Sequence, residues 1–292
     1  FKQKTAYEIR LSLVGSEMCI RDRSMTDHKY KRGHVLVRSG PTISTGASRL
    51  AAVSALRAGA GAVTLASDSD SLLVNASHLT SVMLKEINNA DDFFNFVKEK
   101  KINTLIIGPG CGVNQITKEL VIRAIKSEIS FVLDADGLTL FQKNPNELFD
   151  LLNKRRKREN IILTPHEGEF NRLFDFGNIS KIDKANRAAN ITKSTILFKG
   201  NDTIISSPKK ISLITKDSSS FLATAGSGDV LSGICGSFLG QGMKSHYAAA
   251  AASWIHNEIG LDAGPGLIAE DMNKFISKIM SKKLKRIYEN GN

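Results

Sequence analysis

Residues 223–233 read ATAGSGDVLSG and combine small residues with one acid directly before an amphipathic helix. The free N–H groups and the dipole of a helix start attract anions. Gly226 and Gly228 would let the backbone approach a phosphate closely. Asp229 falls in the first predicted turn, where the dipole favours its ionised form, and a carboxylate there can take a proton from a hydroxyl that attacks a phosphoryl group. The alternative is that Asp229 only caps the helix, a common role of Asp.

Two further loops follow predicted strands and are rich in glycine and acids. Residues 108–112 read GPGCG, which is G-x-G-x-G rather than a dinucleotide fingerprint, and a tight turn explains it equally well. We interpret Cys111 as a packing residue rather than a nucleophile. Residues 134–137 read DADG, and Asp134 and Asp136 can orient Mg²⁺ waters or a substrate hydroxyl, or form an ordinary Asx turn.

The loops at residues 164–169 (TPHEGE) and 199–203 (KGNDT) also follow predicted strands. His166 alone is more often structural than functional, and Glu169 in a first helical turn is usually a capping acid. Lys199 and the glycine after it suit a nucleotide phosphate or ribose, although an ordinary turn between strands explains the same residues.

These loops need strands and helices to position them. Short apolar runs predict strands at 34–37, 62–66, 104–107, 130–133, 161–163 and 195–198, and a hairpin of 203–206 with 211–214. Helical periodicity predicts helices at 46–58, 93–100, 116–125, 167–174, 184–193, 229–239, 245–259 and 270–286. This alternation indicates an α/β fold whose parallel sheet is covered on both faces. Ligands of such sheets bind at the carboxyl ends of the strands, where the loops above lie.

The chain has 292 residues and a formal net charge of +11, but this charge is unevenly distributed. It comes from residues 1–25, 153–160 and 273–292. The KRRKR run at 154–158 has no interleaved aromatic residues for stacking on bases, and no nucleic-acid-binding motif follows it, so we expect no nucleic-acid partner. No apolar run is long enough to cross a membrane. The three cysteines are too few for a disulfide scaffold, and a cytoplasmic location is expected.

Residues 1–25 differ from the rest of the chain because they follow neither helical nor strand periodicity. They resemble translated adapter sequence, and we interpret them as an extraneous or disordered leader. The remaining residues, 26–292, are predicted to form one catalytic domain.

Taken in order, the loops resemble those of the NAD(P)H-hydrate dehydratase family, a branch of the ribokinase-like superfamily. The resemblance runs through STGASRLAAVSALRAGAGAVTLAS, IGPGCG, VLDADGL, LTPHEGEF, LFKGNDT, LATAGSGDVLSGI and GPGLIAEDM, and covers roughly residues 28–280. It implies a three-layer α/β/α fold with a central, mostly parallel sheet. The family uses ADP or ATP to restore NADH or NADPH from the S-epimer of the form hydrated at ring carbon C6, through phosphorylation of the hydroxyl and loss of phosphate.

The resemblance also implies residue roles. Asp229 would be the base and would contact the substrate, together with Ala47, Gly110 and His166. The transferred phosphoryl group would lie in an anion hole formed by Ala225, Gly226, Ser227 and Gly228. The nucleotide would contact Lys199, Gly200, Asn201, Asp202, Thr203 and Gly228. Glu169 would act on Mg²⁺ through water.

Partners follow from the same resemblance: hydrated NADH or NADPH, an adenine nucleotide, and an epimerase that many bacterial relatives carry as a fused domain. A homo-oligomer is expected as well. Arg38 and Ile43 depart from the family's pattern of Gly-Gly and Tyr-Thr-Gly. Two alternatives remain: a vitamin-precursor kinase, against which His166 argues because such kinases commonly have Asn there, and a non-enzymatic nucleotide-binding protein.

Overall fold

A computed structural model describes residues 6–8, 32–156, 160–215 and 218–290. The strands, in chain order, are β1 (Ala6–Glu8), β2 (His34–Arg38), β3 (Ala62–Ser67), β4 (Met83–Glu86), β5 (Thr104–Ile107), β6 (Ser130–Leu133), β7 (Ile161–Leu163), β8 (Thr195–Phe198), β9 (Ile204–Ser206) and β10 (Ser212–Ile214). The helices are α1 (Thr45–Arg57), α2 (Ser69–His78), α3 (Ala90–Glu99), α4 (Gln115–Lys126), α5 (Asp136–Thr139), α6 (Pro145–Lys154), α7 (Glu167–Leu173), α8 (Lys181–Thr192), α9 (Ser227–Gly240), α10 (Ser245–Ala263) and α11 (Ala269–Asn290).

The ten strands form one sheet in the order β1-β10-β9-β8-β7-β6-β5-β2-β3-β4. All neighbouring pairs are parallel except β8 with β9 and β9 with β10. The predicted hairpin is therefore confirmed. The chain winds from β2 through β3 to β4 in one direction, then returns to place β5 on the other side of β2. This reversal is a topological switch point, where parallel sheets open a crevice at the carboxyl ends of their strands.

Side chains alternate between two buried clusters, one on each face of the sheet. Val35 and Val37 belong to the cluster that contains residues of α1, α9, α10 and α11, whereas Leu36 belongs to the cluster with α3, α4, α6, α7 and α8. Because a strand buried on both faces needs mostly apolar residues, β5 and β8 each consist of one Thr and three apolar residues, and the centre of β2 is Val-Leu-Val. The structure thus has the predicted three layers, with helices on both faces of the sheet.

Most predicted elements are confirmed, with ends that shift by a few residues. Helix α3 begins at Ala90 rather than at residue 93 because the Asn89 side chain caps it, and Ser180 likewise starts α8 three residues early. The sequence analysis did not predict α2, β4, α5 or α6. Strand β4 is an edge strand with mostly exposed side chains, so it lacks the apolar run that marks the buried strands.

The predicted leader, residues 1–25, lies mostly outside the described residues. The described part is β1, which pairs in parallel with β10 at the edge of the sheet. Within the described ranges, no helix is long and apolar enough to cross a membrane.

Candidate functional site

The loops singled out in the sequence meet at the carboxyl ends of β6, β7 and β8, beside the start of α9. A cavity of about 430 Å³ opens there. Of the predicted site residues, the following line it: His166, Glu169, Lys199, Gly200, Asn201, Thr203, Gly226, Ser227, Gly228 and Asp229. Ala47, Gly110, Asp202 and Ala225 are not among its lining residues. Their predicted roles stay predictions.

The start of α9 forms one wall of the cavity. Gly226 precedes the helix with a φ of 86°, a left-handed conformation that favours glycine. A Cβ atom built there would lie 2.6 Å from Leu50 Cδ1 and 2.9 Å from Ala269 Cβ, so a side chain does not fit. No side chain caps the helix. The N–H groups of Gly228 and Asp229 form no hydrogen bond with any described residue, which leaves them available to an anion.

Asp229 lies in the first turn of α9 and faces this cavity. Burial, followed by repulsion from Asp134, raises the pKa of Asp229 to about 7, against the attraction of Lys199. The dipole favours the ionised form, as the sequence analysis expected, but burial and the neighbouring acids shift the pKa upward. A carboxylate that titrates near neutral pH is a stronger base than an ordinary Asp.

A buried cluster of opposite charges lies beside Asp229. Lys199 Nζ is 2.8 Å from Asp134 Oδ1 and 3.9 Å from Glu169 Oε2. Burial lowers the pKa of Lys199, but attraction to Asp134 and Glu169 outweighs it and the net shift is upward. The second oxygen of Asp134 accepts a 2.5 Å hydrogen bond from Ser232 Oγ. Lys199 therefore remains a cation at this end of the sheet.

The backbone places Lys199 next to the start of α9. Its N–H donates to the Pro165 carbonyl oxygen at 2.9 Å, which joins the loops after β7 and β8. A Cβ built on Gly228 would lie 3.2 Å from Lys199 Nζ. The ammonium group and the free N–H groups of α9 thus face the same space, and together they suit a phosphoryl group.

Glu169 and His166 form a reciprocal cap at the start of α7. His166 Nδ1 accepts from the N–H of Gly168 at 2.9 Å, and the His166 N–H donates to Glu169 Oε2 at 2.9 Å. The capping interpretation of Glu169 is confirmed. Burial raises the pKa of Glu169, against the attraction of Lys199. The imidazole is half exposed and lines the cavity.

The acidic side chains at this site determine how Mg²⁺ could bind. The described residues contain no group of three or more His, Cys, Asp or Glu side chains arranged to hold a metal ion. Asp134 is engaged by Lys199 and Ser232, and Glu169 by its cap. Mg²⁺ commonly keeps several waters and binds through one or two carboxylates and substrate phosphates. The residues therefore fit a hydrated ion at nucleotide phosphates, with Glu169 reached through water, rather than a cage of protein ligands.

The turn after β6 approaches the GPGCG loop closely. Asp136 Oδ2 accepts from the Gly112 N–H at 2.8 Å, and a Cβ on Gly108 would lie 1.7 Å from the Asp134 carbonyl oxygen. Between the two acids, Ala135 has a φ of 45° and a ψ of −118°, a rare conformation for a residue with a Cβ. Such strain concentrates at functional sites. The tight-turn interpretation of the glycines is confirmed, and the turn positions Asp134.

The structure also places five residues that the sequence analysis named individually. Cys111 is buried, and burial raises the pKa of its thiol to about 12, which agrees with a packing role. Arg38 donates to the Ile87 carbonyl oxygen at 3.2 Å, away from the site, whereas Ile43 is 98% exposed. Gly110 and Ala47 lie side by side, since a Cβ on Gly110 would be 3.2 Å from Ala47 Cβ.

The loop predicted to contact a nucleotide is held in place by a residue that the sequence analysis missed. Lys181 Nζ, from the first turn of α8, donates to the Asp202 carbonyl oxygen at 2.6 Å and to Asp202 Oδ1 at 2.8 Å. It also lies 4.9 Å from the centre of the Phe198 ring. Asp202 is thus committed to Lys181, whereas Asn201 and Thr203 line the cavity.

Helix α10 contributes a second group of missed residues. Ser253, His256 and Asn257 line the cavity at helical spacing. His256 Nε2 lies 2.8 Å from Ser227 Oγ and 3.0 Å from its carbonyl oxygen, and burial lowers the pKa of this imidazole to about 4. The signal was present: these polar residues repeat at i, i+3 and i+4 within an alanine-rich helix.

Comparison with known proteins gives one family. A family model described as NAD(P)H-hydrate dehydratase matches residues 35–281. An ADP-dependent (S)-NAD(P)H-hydrate dehydratase from Neisseria meningitidis is 32% identical over 243 residues, which are 80% of this chain and 78% of that protein. A bifunctional NAD(P)H-hydrate repair enzyme from Synechocystis is 32% identical over 82% of this chain. The chain spans only 46% of that relative's length, about half of it.

Solved structures agree on the fold. A ribokinase-like protein from Enterococcus faecalis superposes with a TM-score of 0.83 at 20% identity, covering 97% of this chain and 98% of that one. An ADP/ATP-dependent NAD(P)H-hydrate dehydratase from Bacillus subtilis, co-crystallised with ATP and Mg²⁺, gives 0.77 at 20% identity, covering 96% and 100%. The fold is thus ribokinase-like. Because the family model matches residues 35–281, which are most of the sequence, this chain belongs to the NAD(P)H-hydrate dehydratase family.

Proposed function

We propose that this chain catalyses the nucleotide-dependent dehydration of the S-epimer of C6-hydrated NADH and NADPH, a lyase reaction that restores NADH and NADPH. The position of Asp229 is the main observation that supports this activity. This carboxylate, with a pKa of about 7, lies in the same cavity as the free N–H groups at the start of α9 and the Lys199 ammonium. A base, an anion hole and a fixed cation are what phosphorylation of a hydroxyl requires.

The chemistry follows from the poor leaving ability of hydroxide. Asp229 takes the proton of the C6 hydroxyl while the hydroxyl oxygen attacks the terminal phosphorus of the nucleotide. The new O–P bond forms while the phosphoanhydride P–O bond breaks, and AMP leaves from ADP, or ADP from ATP. The lone pair of the ring nitrogen then expels phosphate from C6. Loss of a proton from the adjacent ring carbon restores the double bond, so the net change is loss of water and hydrolysis of one anhydride.

The residues of the site divide this work. We assign the phosphoryl group to the N–H groups of Gly228 and Asp229, with Ala225, Gly226 and Ser227 completing the turn. Lys199 supplies positive charge that is already held in place by Asp134, so it need not reorganise during the reaction. His256 holds Ser227, and through it the start of α9, by its two contacts at Nε2.

Binding of the two substrates is assigned to opposite sides of Asp229. The nucleotide would contact Gly200, Asn201 and Thr203, whose loop Lys181 fixes through Asp202. The hydrated nicotinamide would contact His166, Gly110 and Ala47. The Neisseria relative is named as ADP-dependent, and we propose ADP as the preferred phosphoryl donor, with ATP as an alternative.

Magnesium and the cellular setting complete the proposal. Mg²⁺, when bound to the nucleotide phosphates, neutralises their charge, and Glu169 would orient one of its waters. Relatives that are about twice as long are named bifunctional, so we propose that this enzyme works with an epimerase that supplies the S-epimer. We further propose a cytoplasmic location and a homo-oligomeric assembly.

The test supplies hydrated NADH with Mg²⁺ and either ADP or ATP, and follows recovery of reduced-nicotinamide absorbance. We expect recovery with ADP and release of AMP and phosphate in equal amounts. Consumption of nucleotide with a stable phosphorylated product would instead indicate a kinase. Absence of both recovery and nucleotide consumption would contradict the proposal and favour a non-enzymatic binding protein.

A further inference from the structure

A second cavity, of about 430 Å³, lies at the amino end of β8, whereas the proposed active site lies at the carboxyl ends of the strands. Its walls are the amino end of β8, the turn between β9 and β10, and the first turn of α10. Thr195 begins β8 at this cavity, whereas Lys199 follows the carboxyl end of the same strand at the active site. The two cavities are therefore separated by the length of a strand.

Positive charge dominates this second cavity. Four lysines are among its lining residues: Lys193, Lys209, Lys210 and Lys244. None of its lining residues is Asp or Glu. Lys193 and Lys209 have φ values of 52° and 60°, a backbone region that favours glycine. The lining suits an anion and offers no carboxylate to compete with it.

The first turn of α10 faces the same space. This helix of 19 residues begins without a side-chain cap. The N–H groups of residues 245–247 have no partner within the helix. An anion placed there would accept hydrogen bonds from these N–H groups and interact favourably with the helix dipole.

His246 gives an independent sign of a ligand. Its side chain lines the cavity and the residue is only 6% exposed. Nδ1 lies 2.9 Å from Ser207 Oγ, but Nε2 forms no hydrogen bond with a described residue. The hydroxyl of Thr195 bonds both Ser207 and Ser245, which fixes the ring's surroundings. When Ser207 donates to Nδ1, Nε2 carries the proton and can donate to a ligand oxygen in the cavity.

We propose that this cavity is a binding site for an organic phosphate. The phosphoryl oxygens would accept hydrogen bonds from the N–H groups of residues 245–247 and from His246 Nε2, with Lys209 and Lys210 as counter-charges. The cavity is within the size range of small-molecule sites and far larger than one phosphate needs. The ring of Tyr247, which Lys210 Nζ approaches to 5.8 Å from its centre, and Pro208 offer surface for the organic part.

The proposal is independent of the reaction assigned to the active site. Residue 245 of α10 lines the second cavity, and residue 256 lines the proposed active site. The 11 residues of helix between these two positions correspond to about 16 Å. Ligands bound at the two places can therefore be told apart in a crystal, whether or not the chain is a dehydratase.

The test locates tungstate, a heavy analogue of phosphate, by anomalous scattering in soaked crystals. Three proteins are compared: the unchanged chain, the variant K209Q/K210Q, and the control K98Q/K126Q, which loses the same charge from exposed helix surfaces. We expect a peak within hydrogen-bond distance of the 245–247 N–H groups in the unchanged chain and the control, and a weaker or absent peak in K209Q/K210Q.

Calorimetric titration with inorganic pyrophosphate provides the solution arm. We expect one class of site to weaken about tenfold in K209Q/K210Q and to keep its affinity in the control. All four substituted lysines are exposed, and circular dichroism would verify that each variant is folded. Absence of tungstate from the cavity of the unchanged chain, or pyrophosphate binding that is identical in all three proteins, would overturn the proposal.

Discussion

Lys199 Nζ lies 2.8 Å from Asp134 Oδ1, and this pair joins the ends of β8 and β6 beneath the start of α9. Asp134 is 1% exposed, and its other oxygen accepts from Ser232 of α9. A buried carboxylate needs such partners, because desolvation of an unpaired charge is costly. The pair therefore joins three elements around Asp229 and contributes to the charge that surrounds it.

Substitution Asp229→Asn tests the base. We expect kcat to fall by roughly 10²–10⁴-fold while nucleotide affinity is retained, because the amide is similar in shape but cannot take a proton. Dehydration is measured by recovery of reduced-nicotinamide absorbance and nucleotide affinity by calorimetry. Asp70→Asn is the matched control, since Asp70 is also an acid in a first helical turn but is exposed. An Asp229→Asn enzyme with unchanged kcat would refute the assignment.

The pH profile should report the same carboxylate. Because the pKa of Asp229 is raised to about 7, the base is increasingly protonated as the pH falls below that value. We expect kcat/KM to drop about tenfold per pH unit on the acid side and to level off above about pH 8. The measurement covers about pH 5.5 to about pH 8.5 with nucleotide and Mg²⁺ saturating. A flat profile below pH 7 would exclude Asp229 as the titrating base.

Asp229→Asn should also stabilise the fold, in a way that depends on pH. The folded-state pKa is raised from 3.8 to about 7, so ionisation of Asp229 costs stability, and this cost is complete above pH 7 and absent below pH 4. Removing the charge should raise the free energy of unfolding by on the order of 2–4 kcal/mol at pH 8, and by much less at pH 5. Thermal unfolding at both pH values checks this, and an equal gain at both would contradict it.

Lys199→Gln should destabilise the protein. The variant leaves Asp134 and Glu169 buried without their cation, and we expect a loss of about 3 kcal/mol in the free energy of unfolding at pH 8. The loss should shrink as the pH falls, because burial already raises the pKa of Glu169 and its carboxyl group can then take up a proton. The double variant D134N/K199Q should recover part of the stability, because it removes the unpaired charge. Equal stability of the single variant and the unchanged chain at pH 8 would disprove the coupling.

Gly108→Ala tests the close approach between the loops after β5 and β6. A Cβ at Gly108 would lie 1.7 Å from the Asp134 carbonyl oxygen, so the turn that carries Asp134 must move. We expect a loss of at least about 2 kcal/mol and a lower kcat. The control is Gly242→Ala, because Gly242 also has a positive φ, 87° against 132° at Gly108, but its Cβ would meet nothing within 4 Å. If both variants lose the same free energy of unfolding, the close contact of Gly108 with the Asp134 carbonyl oxygen adds nothing to the cost of backbone strain.

Local sequence determined the elements and the identity of the site loops. Continuous apolar runs mark β2, β5, β6 and β8 because a strand buried on both faces needs apolar residues throughout, and glycines mark the turns after them. The same rule explains the misses: edge strand β4 exposes its side chains, and α5 is a single turn. The ordered set of motifs was also sufficient to indicate the family, because the whole set is far more specific than any one of its motifs.

Only the tertiary structure determined the electrostatic environment of the site, including the pKa of Asp229. Asp134, Glu169, Lys199 and Asp229 are up to 95 residues apart in the chain, and nothing local indicates that they share one buried cluster. Helix position by itself favours an ionised Asp229, whereas burial beside Asp134 raises its pKa to about 7. The strand-end loops gave the residue types, but pKa values depend on solvent exclusion and on the sum of neighbouring charges, and both arise only when the sheet brings its strand ends together.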